Sequence, residues 1–337
     1  MTLSIDPSPS SFVAVSSPIP LTRSSQVAHA DRDIAGGRLV RVRRGIVAPA
    51  SLWAALAPWQ RYAARVHAAA MTHPGIVFSH ESAAAILGLP TFGEPLEVHA
   101  LDTPGTTSRL SGGIRLHTTR GDRAVVDVGG LLVTSPLDTA VDIARSRNGA
   151  VGLAVSDAAL RGDPLLSVEA LVAHNEYRIS SRGRRVARWV LHRASALAET
   201  PLESVSRAAI EWLGFEEPRL QVEFVTAGMV DRCDMWWETA RVIGEADGDV
   251  KYDGTLQAPV TAIRKEKDRD RRLGHHSSGI AHWGWADVAR LTPLRGALRH
   301  AGLRPVNPEA SRDLFALSAL LGGRGRQGRE TATPPRD

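Results

Sequence analysis

One cysteine, Cys233, in a chain of 337 residues leaves no partner for an internal disulfide and too few thiolates for a cysteine-built zinc site. Long apolar runs are missing as well. Nothing approaches the ~18 consecutive apolar residues of a membrane span, and the first residues lack the charged-then-apolar order of a signal peptide. The sequence therefore reads as a cytoplasmic protein without a membrane partner. It carries no nucleotide-binding glycine loop and no Ser/His/Asp or Cys/His arrangement, and its 12 histidines are scattered, so no small-molecule cofactor is expected. Lysine is the last scarcity: of 41 Lys and Arg residues only Lys251, Lys265 and Lys267 are lysines, all in one short stretch.

What the chain has is length and a hydrophobic share of 43%, enough for two or three cores. Ser and Pro dominate residues 1–20, which suits a disordered start, and residues 311–337 read as the end of a helix followed by a disordered Gly/Arg/Pro tail. The formal charge of +5 is unevenly spread, because residues 21–75 carry a net +6 and residues 196–310 a net −3. Grip on a polyanion would belong to the amino-terminal half and to a basic helix near Arg182, Arg184, Arg185 and Arg188, within a helical connector over residues 151–195.

Local patterns fill in an α/β protein. Residues 51–71, with Trp53, Leu56, Trp59, Ala63 and Val66 at helical spacing, predict one amphipathic helix. Residues 96–100, 114–117 and 131–134 predict strands. Pro136 opens a helix on which Asp138 and Asp142 read as surface or capping residues, and Ser79 or His80 caps an earlier one.

The most informative residues are acids on apolar segments: Asp234 within residues 230–237, and Glu245 and Asp247 within residues 241–248. Such segments form buried strands, where a carboxylate is costly unless a cation or hydrogen bonds offset its charge. Glu245 and Asp247, two apart, project to one face. A tight connection at Glu238-Thr239-Ala240 sets Asp234 roughly opposite Ile243 and diagonal to Glu245. Two or three carboxylates with lysine nearby make a hard-oxygen site for Mg²⁺ or Mn²⁺, suited to activating water against a phosphodiester. Arginine substitutes poorly for a compact ammonium there, which singles out Lys251 and Lys265. Asp231 competes with Asp234 from the opposite face of the same strand. Plainer readings stand beside these: Asp247-Gly248 as a turn, Glu203 as the capping-box partner of Thr200, residues 264–272 as a solvated helix face, and Trp236, Trp237, Trp283 and Trp285 as core.

Five stretches carry a resemblance over residues 196–305. They are Glu199-Thr200-Pro201-Leu202-Glu203, the Asp234 strand, Gly244-Glu245-Ala246-Asp247-Gly248 with Lys251-Tyr252, the charged run 264–272, and His282-Trp283-Gly284-Trp285. Together they resemble the PD-(D/E)XK nuclease superfamily, in particular endonuclease-like domains related to very-short-patch-repair endonucleases. The resemblance implies a restriction-endonuclease-like mixed sheet flanked by helices over residues 196–310. It makes Asp234 and Glu245 metal ligands and Glu203 a helix acid facing the same site. Asp247 takes the place where the superfamily often has lysine, so that Lys251 or Lys265 would reach in from elsewhere.

Residues 37–49, Gly-Arg-Leu-Val-Arg-Val-Arg-Arg-Gly-Ile-Val-Ala-Pro, alternate apolar and basic side chains as a two-stranded wing would. With residues 79–90 they resemble AbiEi-like type IV antitoxins and regulators. That resemblance implies a winged-helix-like module over residues 21–75, an α/β middle domain over residues 76–150, and DNA phosphates held by Arg41, Arg43 and Arg44, with Arg184, Arg185 and Arg188 adding to the grip. Two functions are expected from this sequence: a metal-dependent DNA endonuclease, or a DNA-binding regulator or antitoxin, with a cognate toxin as partner, whose nuclease-like domain is inert.

Overall fold

A computed structural model describes residues 3–5, 12–102, 107–118, 121–247 and 268–322. The chain divides into two compact units, Met1–Pro201 and Leu202–Asp337. Both mix helices with sheets. Among the described residues no helix is long and apolar enough to cross a membrane.

The first unit opens with β1 (Leu3–Ile5), followed by β2 (Thr22–Arg23), the short helix α1 (Ala30–Ala35), β3 (Leu39–Arg43) and β4 (Ile46–Pro49). β2, β4 and β3 form a three-stranded sheet in that order. The β3–β4 turn is Arg44-Gly45, and Gly45 takes the positive φ, 82°, that a two-residue hairpin needs. Disorder expected over residues 1–20 does not hold for β1, which pairs with a later strand, nor for Ile19, which is buried with Ala48 and Ala64. The single helix expected over residues 51–71 is two, α2 (Ala50–Ala55) and α3 (Pro58–Thr72), because Pro58 has no N–H to continue a helix and instead starts one.

A seven-stranded mixed sheet follows, built from β1, β5 (Val77–Phe78), β6 (Val98–Leu101), β7 (Arg109–Ser111), β8 (Ile114–His117), β9 (Arg123–Val128) and β10 (Leu131–Thr134) in the order β1-β9-β10-β5-β6-β8-β7. Helices α4 (His80–Leu87), α5 (Pro136–Ser146), α6 (Gly149–Gly162), α7 (Val168–Tyr177) and α8 (Arg184–Arg193) complete this unit. Ser135 caps α5 as Pro136 suggests. Asp138 and Asp142, read from sequence as surface or capping residues, are instead buried. Arg123 lies 3.0 Å from each, and Arg178 binds both, so a salt-bridged core network offsets their charge.

In the second unit, α9 (Pro201–Trp212) buries Leu202, Val205, Ala209 and Trp212 at helical spacing. The sheet runs β11 (Arg219–Thr226), β12 (Met229–Trp237), β13 (Val242–Ala246) and β14 (Gly279–Trp283), antiparallel except for the β13–β14 pair. Helix α10 is described over residues 268–274, and α11 (Trp285–Arg290), α12 (Thr292–His300) and α13 (Ser311–Leu321) close the unit. Trp236, Trp237 and Trp283 are core. A Cβ on Gly244 would fall 2.6 Å from Trp283 and 2.9 Å from Trp237, so glycine is what lets both indoles close over β13. Trp283 Nε1 then donates to Ser206 Oγ at 2.8 Å, tying β14 to α9.

Candidate functional site

The β12–β13 register decides how the acids meet. Trp237 faces Val242, Trp236 faces Ile243 and Met235 faces Gly244, so one further step sets Asp234 beside Glu245. The sequence pattern alone places Asp234 opposite Ile243. The connection is longer than expected, Glu238–Arg241 with Arg241 at φ 54°, and the partner moves by two residues, which leaves the facing of the side chains unchanged. Asp234 Oδ2 accepts from the Ala246 N–H at 2.9 Å.

Burial, together with the charges of Glu203 and Asp247, pushes the Asp234 carboxyl up to about 6, although the Ala246 N–H and Arg269 work the other way. Burial and the Asp234 charge push Glu245 up to about 7, even with Arg269 beside it. Arg269, on α10, donates from Nη2 to both Glu245 oxygens at 3.1 and 3.2 Å and to the Arg232 carbonyl at 2.6 Å. Glu203, buried on α9, accepts from Gln221 Nε2 at 3.0 Å, and Gln221 holds a left-handed φ of 53° within β11. Asp247 Oδ2 lies 2.9 Å from His282 Nδ1; that bond raises the imidazole pKa. His282 is the register partner of Glu245 on β14.

Asp234, Glu245, Glu203 and Asp247 are thus electrostatic neighbours. They do not converge: among the described residues no three His, Cys, Asp or Glu side chains come together around one ion position. Glu245 is held by Arg269, and Asp247, just past β13, is engaged by His282. The donor chemistry still fits a hard divalent cation, since Mg²⁺ is commonly bound through one or two carboxylates plus water, and Asp234 with Glu245 supply two raised, crowded carboxyls. Asp231 is settled differently. Arg272 clasps it through Nε and Nη2 at 2.6 and 2.7 Å and holds its carboxyl below the usual range, so it serves structure. Lys251 and Lys265 lie outside the described residues.

Gln221, Arg269 and His282 are not assignable to the site from sequence. Only the charged run around Arg269 and the adjacency of His282 to Trp283 hint at them. The left-handed φ of Gln221 has no sequence signal.

Among the arginines expected to hold DNA, Arg41, Arg44, Arg185 and Arg188 are exposed. Arg41 pairs with Asp31 at 3.1 Å, and Arg43 Nε donates to Thr72 Oγ1 at 3.2 Å. Arg184 donates to the carbonyls of Arg178 and Ser180, and Arg188 pairs with Glu176. The first unit also holds a polar cluster without a sequence signature. His80, His99 and His117 pack ring against ring, with centroids 4.1 Å apart for His80–His117 and 5.1 Å for His99–His117. Glu81, clasped by Arg147, lies 3.7 Å from His99.

No family model matches the chain, and no solved structure matches it. Two curated relatives, uncharacterized proteins from the CDC 1551 and H37Rv strains of Mycobacterium tuberculosis, are each 34% identical over 165 residues. The aligned part is 49% of this chain and 59% of each relative.

Proposed function

We propose that the second unit is a divalent-cation-dependent DNA endonuclease of the PD-(D/E)XK type, joined to an amino-terminal winged-helix-like, AbiEi-like module that grips DNA. The observation that supports this most is the Asp234–Glu245 pair, two crowded carboxyls on neighbouring strands raised to about 6 and about 7. Perturbed carboxyls of this kind cluster at functional sites, and an opposite charge placed beside them would stabilise their ionised form. Asp234 and Glu245 hold the ion. Glu203, oriented by Gln221, and Asp247, oriented by His282, would shape the charge around it, and Lys251 or Lys265 would orient the attacking water or stabilise the pentacovalent phosphate. When bound, Mg²⁺ or Mn²⁺ supplies Lewis acidity and eases deprotonation of that water. Arg41, Arg43, Arg44 and Arg185 hold phosphates without reading bases.

A second reading draws on the Arg269–Glu245 contact: with an arginine already on that acid, the domain would be an inert platform in a DNA-binding regulator or antitoxin that meets a cognate toxin. The deciding experiment incubates the purified protein with plasmid, single-stranded and mismatched DNA in Mg²⁺ or Mn²⁺, beside an Asp234→Ala/Glu245→Ala control. Cleavage by wild type alone is expected. Binding without cleavage would move the regulator to first place.

A further inference from the structure

Arg269 and Arg272 sit one turn apart on α10 and both hold acids of the β12–β13 hairpin, yet they do so differently. Arg272 presents two nitrogens, Nε and Nη2, as a fork to Asp231 at 2.6 and 2.7 Å, the strong bidentate geometry. Arg269 spends one nitrogen, Nη2, on three acceptors: both Glu245 oxygens at 3.1 and 3.2 Å and the Arg232 carbonyl at 2.6 Å. That nitrogen lies nearly equidistant from the two Glu245 oxygens, where a cation held by a bidentate carboxylate would lie. One positive charge also faces two acids, because Asp234 forms no ion pair among the described residues. The Arg269 side chain is 31% exposed while Glu245 is 6% exposed, so the guanidinium can move toward solvent far more readily than the carboxylate can.

We propose that Arg269 is an intramolecular competitor for the cation site: its guanidinium occupies Glu245 in the resting protein and swings off it when a divalent cation binds. This rests on the metal-binding reading of Asp234 and Glu245. The Arg272–Asp231 fork keeps α10 on the sheet during the exchange, so the change is a side-chain movement and not the departure of a helix. The site is thereby partly neutralised when empty and opens in proportion to the available divalent cation.

The test is calorimetric titration of the full chain with MnCl₂, comparing wild type, Arg269→Gln, Arg269→Ala and Asp234→Asn, with melting in chelator to verify folding. Gln keeps a donor for the Arg232 carbonyl and removes the charge. If the competitor is lost, Mn²⁺ should bind about tenfold or more tightly in Arg269→Gln, a change of about 1.4 kcal/mol. Equal or weaker binding in that variant, with wild type binding and Asp234→Asn not, overturns the competitor and leaves the metal site standing. Absence of Mn²⁺ binding in wild type and Arg269→Gln alike overturns both and makes Arg269 a permanent counter-ion. A further arm needs no variant. The ¹⁵N side-chain resonance of Arg269 in wild type should move as Mg²⁺ is added, and a stationary resonance while Mg²⁺ binds also overturns the proposal.

Discussion

Nδ1 of His99 lies 2.8 Å from Nε2 of His117, on neighbouring parallel strands β6 and β8, with the ring of His80 stacked on His117. Arg147 Nη2 approaches His99 Nε2 at 3.3 Å, which makes that nitrogen the acceptor and leaves Nδ1 to donate to His117. Both rings are then neutral. Adding a proton to either disrupts the chain and places a second positive charge beside Arg147.

Acid sensitivity of the first unit follows. Burial, then mutual repulsion, sets the His80 imidazole well below its usual value, burial lowers His99, and burial with the neighbouring His99 brings His117 to about 4. An unfolded histidine titrates near ~6.5, so between that pH and the folded values the unfolded chain binds more protons. The stabilisation is therefore complete above ~6.5 and is lost as pH falls toward the folded values. Asp142, raised by burial to about 6, works in the opposite direction over part of this window, as one group against three. The melting transition of the first unit should move down between pH 7 and pH 5 on the order of several degrees, as a loss of about 1 kcal/mol or more would give. His117→Asn should flatten the profile. A Tm independent of pH in wild type would show that the cluster tolerates protonation.

At the cation site, Mn²⁺ should raise the Tm of wild type, because a ligand that binds the folded state adds RT ln(1 + [L]/Kd) to stability. Asp234→Asn should lose the rise. Cys233, buried and pushed up to about 12, stays a thiol in this test and offers no alternative ligand at neutral pH. An equal rise in the variant would put the ion somewhere other than the β12–β13 pair.

These acids are legible because charge is conspicuous in apolar segments, and period-two alternation says which acids share a face. The partners are not legible. Arg269 follows Glu245 by 24 residues and reaches it only because α10 packs on the hairpin, and nothing in its local pattern separates it from Arg271 or Arg272. Periodicity likewise marks β6 and β8 as strands without saying that they pair, which is what assembles the histidine cluster. The two-residue slip of Asp234 comes from the turn, where a four-residue loop with Arg241 at φ 54° has no glycine to announce it. Pro58 decides the break between α2 and α3, a local signal that the apolar spacing of residues 51–71 overrides when periodicity alone is followed.

Phosphate grip should depend on the arginines of the β3–β4 hairpin, whose partners lie at the surface or are weak. Replacing Arg41, Arg43 and Arg44 with Ala should weaken binding to any DNA sequence alike and lower the log-log salt slope by ~0.9 for each phosphate that is no longer neutralised. Arg184→Ala should act differently, since its guanidinium holds the Arg178 and Ser180 carbonyls; its removal should lower stability more than affinity. An unchanged slope in the triple variant would assign the β3–β4 hairpin a purely structural role.

Gln221 provides a test in which the usual ranking of Ala and Gly in a strand is reversed. A left-handed backbone costs a residue with a Cβ about 1 to 2 kcal/mol, and glycine escapes that cost. At Gln221, with φ 53°, the penalty is sustained while its side chain donates to Glu203. Gln221→Ala should keep the strain and lose the bond; Gln221→Gly loses the bond and the strain together. In urea unfolding the Gly variant should therefore be more stable than the Ala variant by about 1 kcal/mol. Both should remove the Gln221 bond to Glu203 and change Mn²⁺ affinity if that bond positions the acid near Asp234. An Ala variant as stable as the Gly variant would mean that the backbone relaxes at this position and that no strain is held against Glu203.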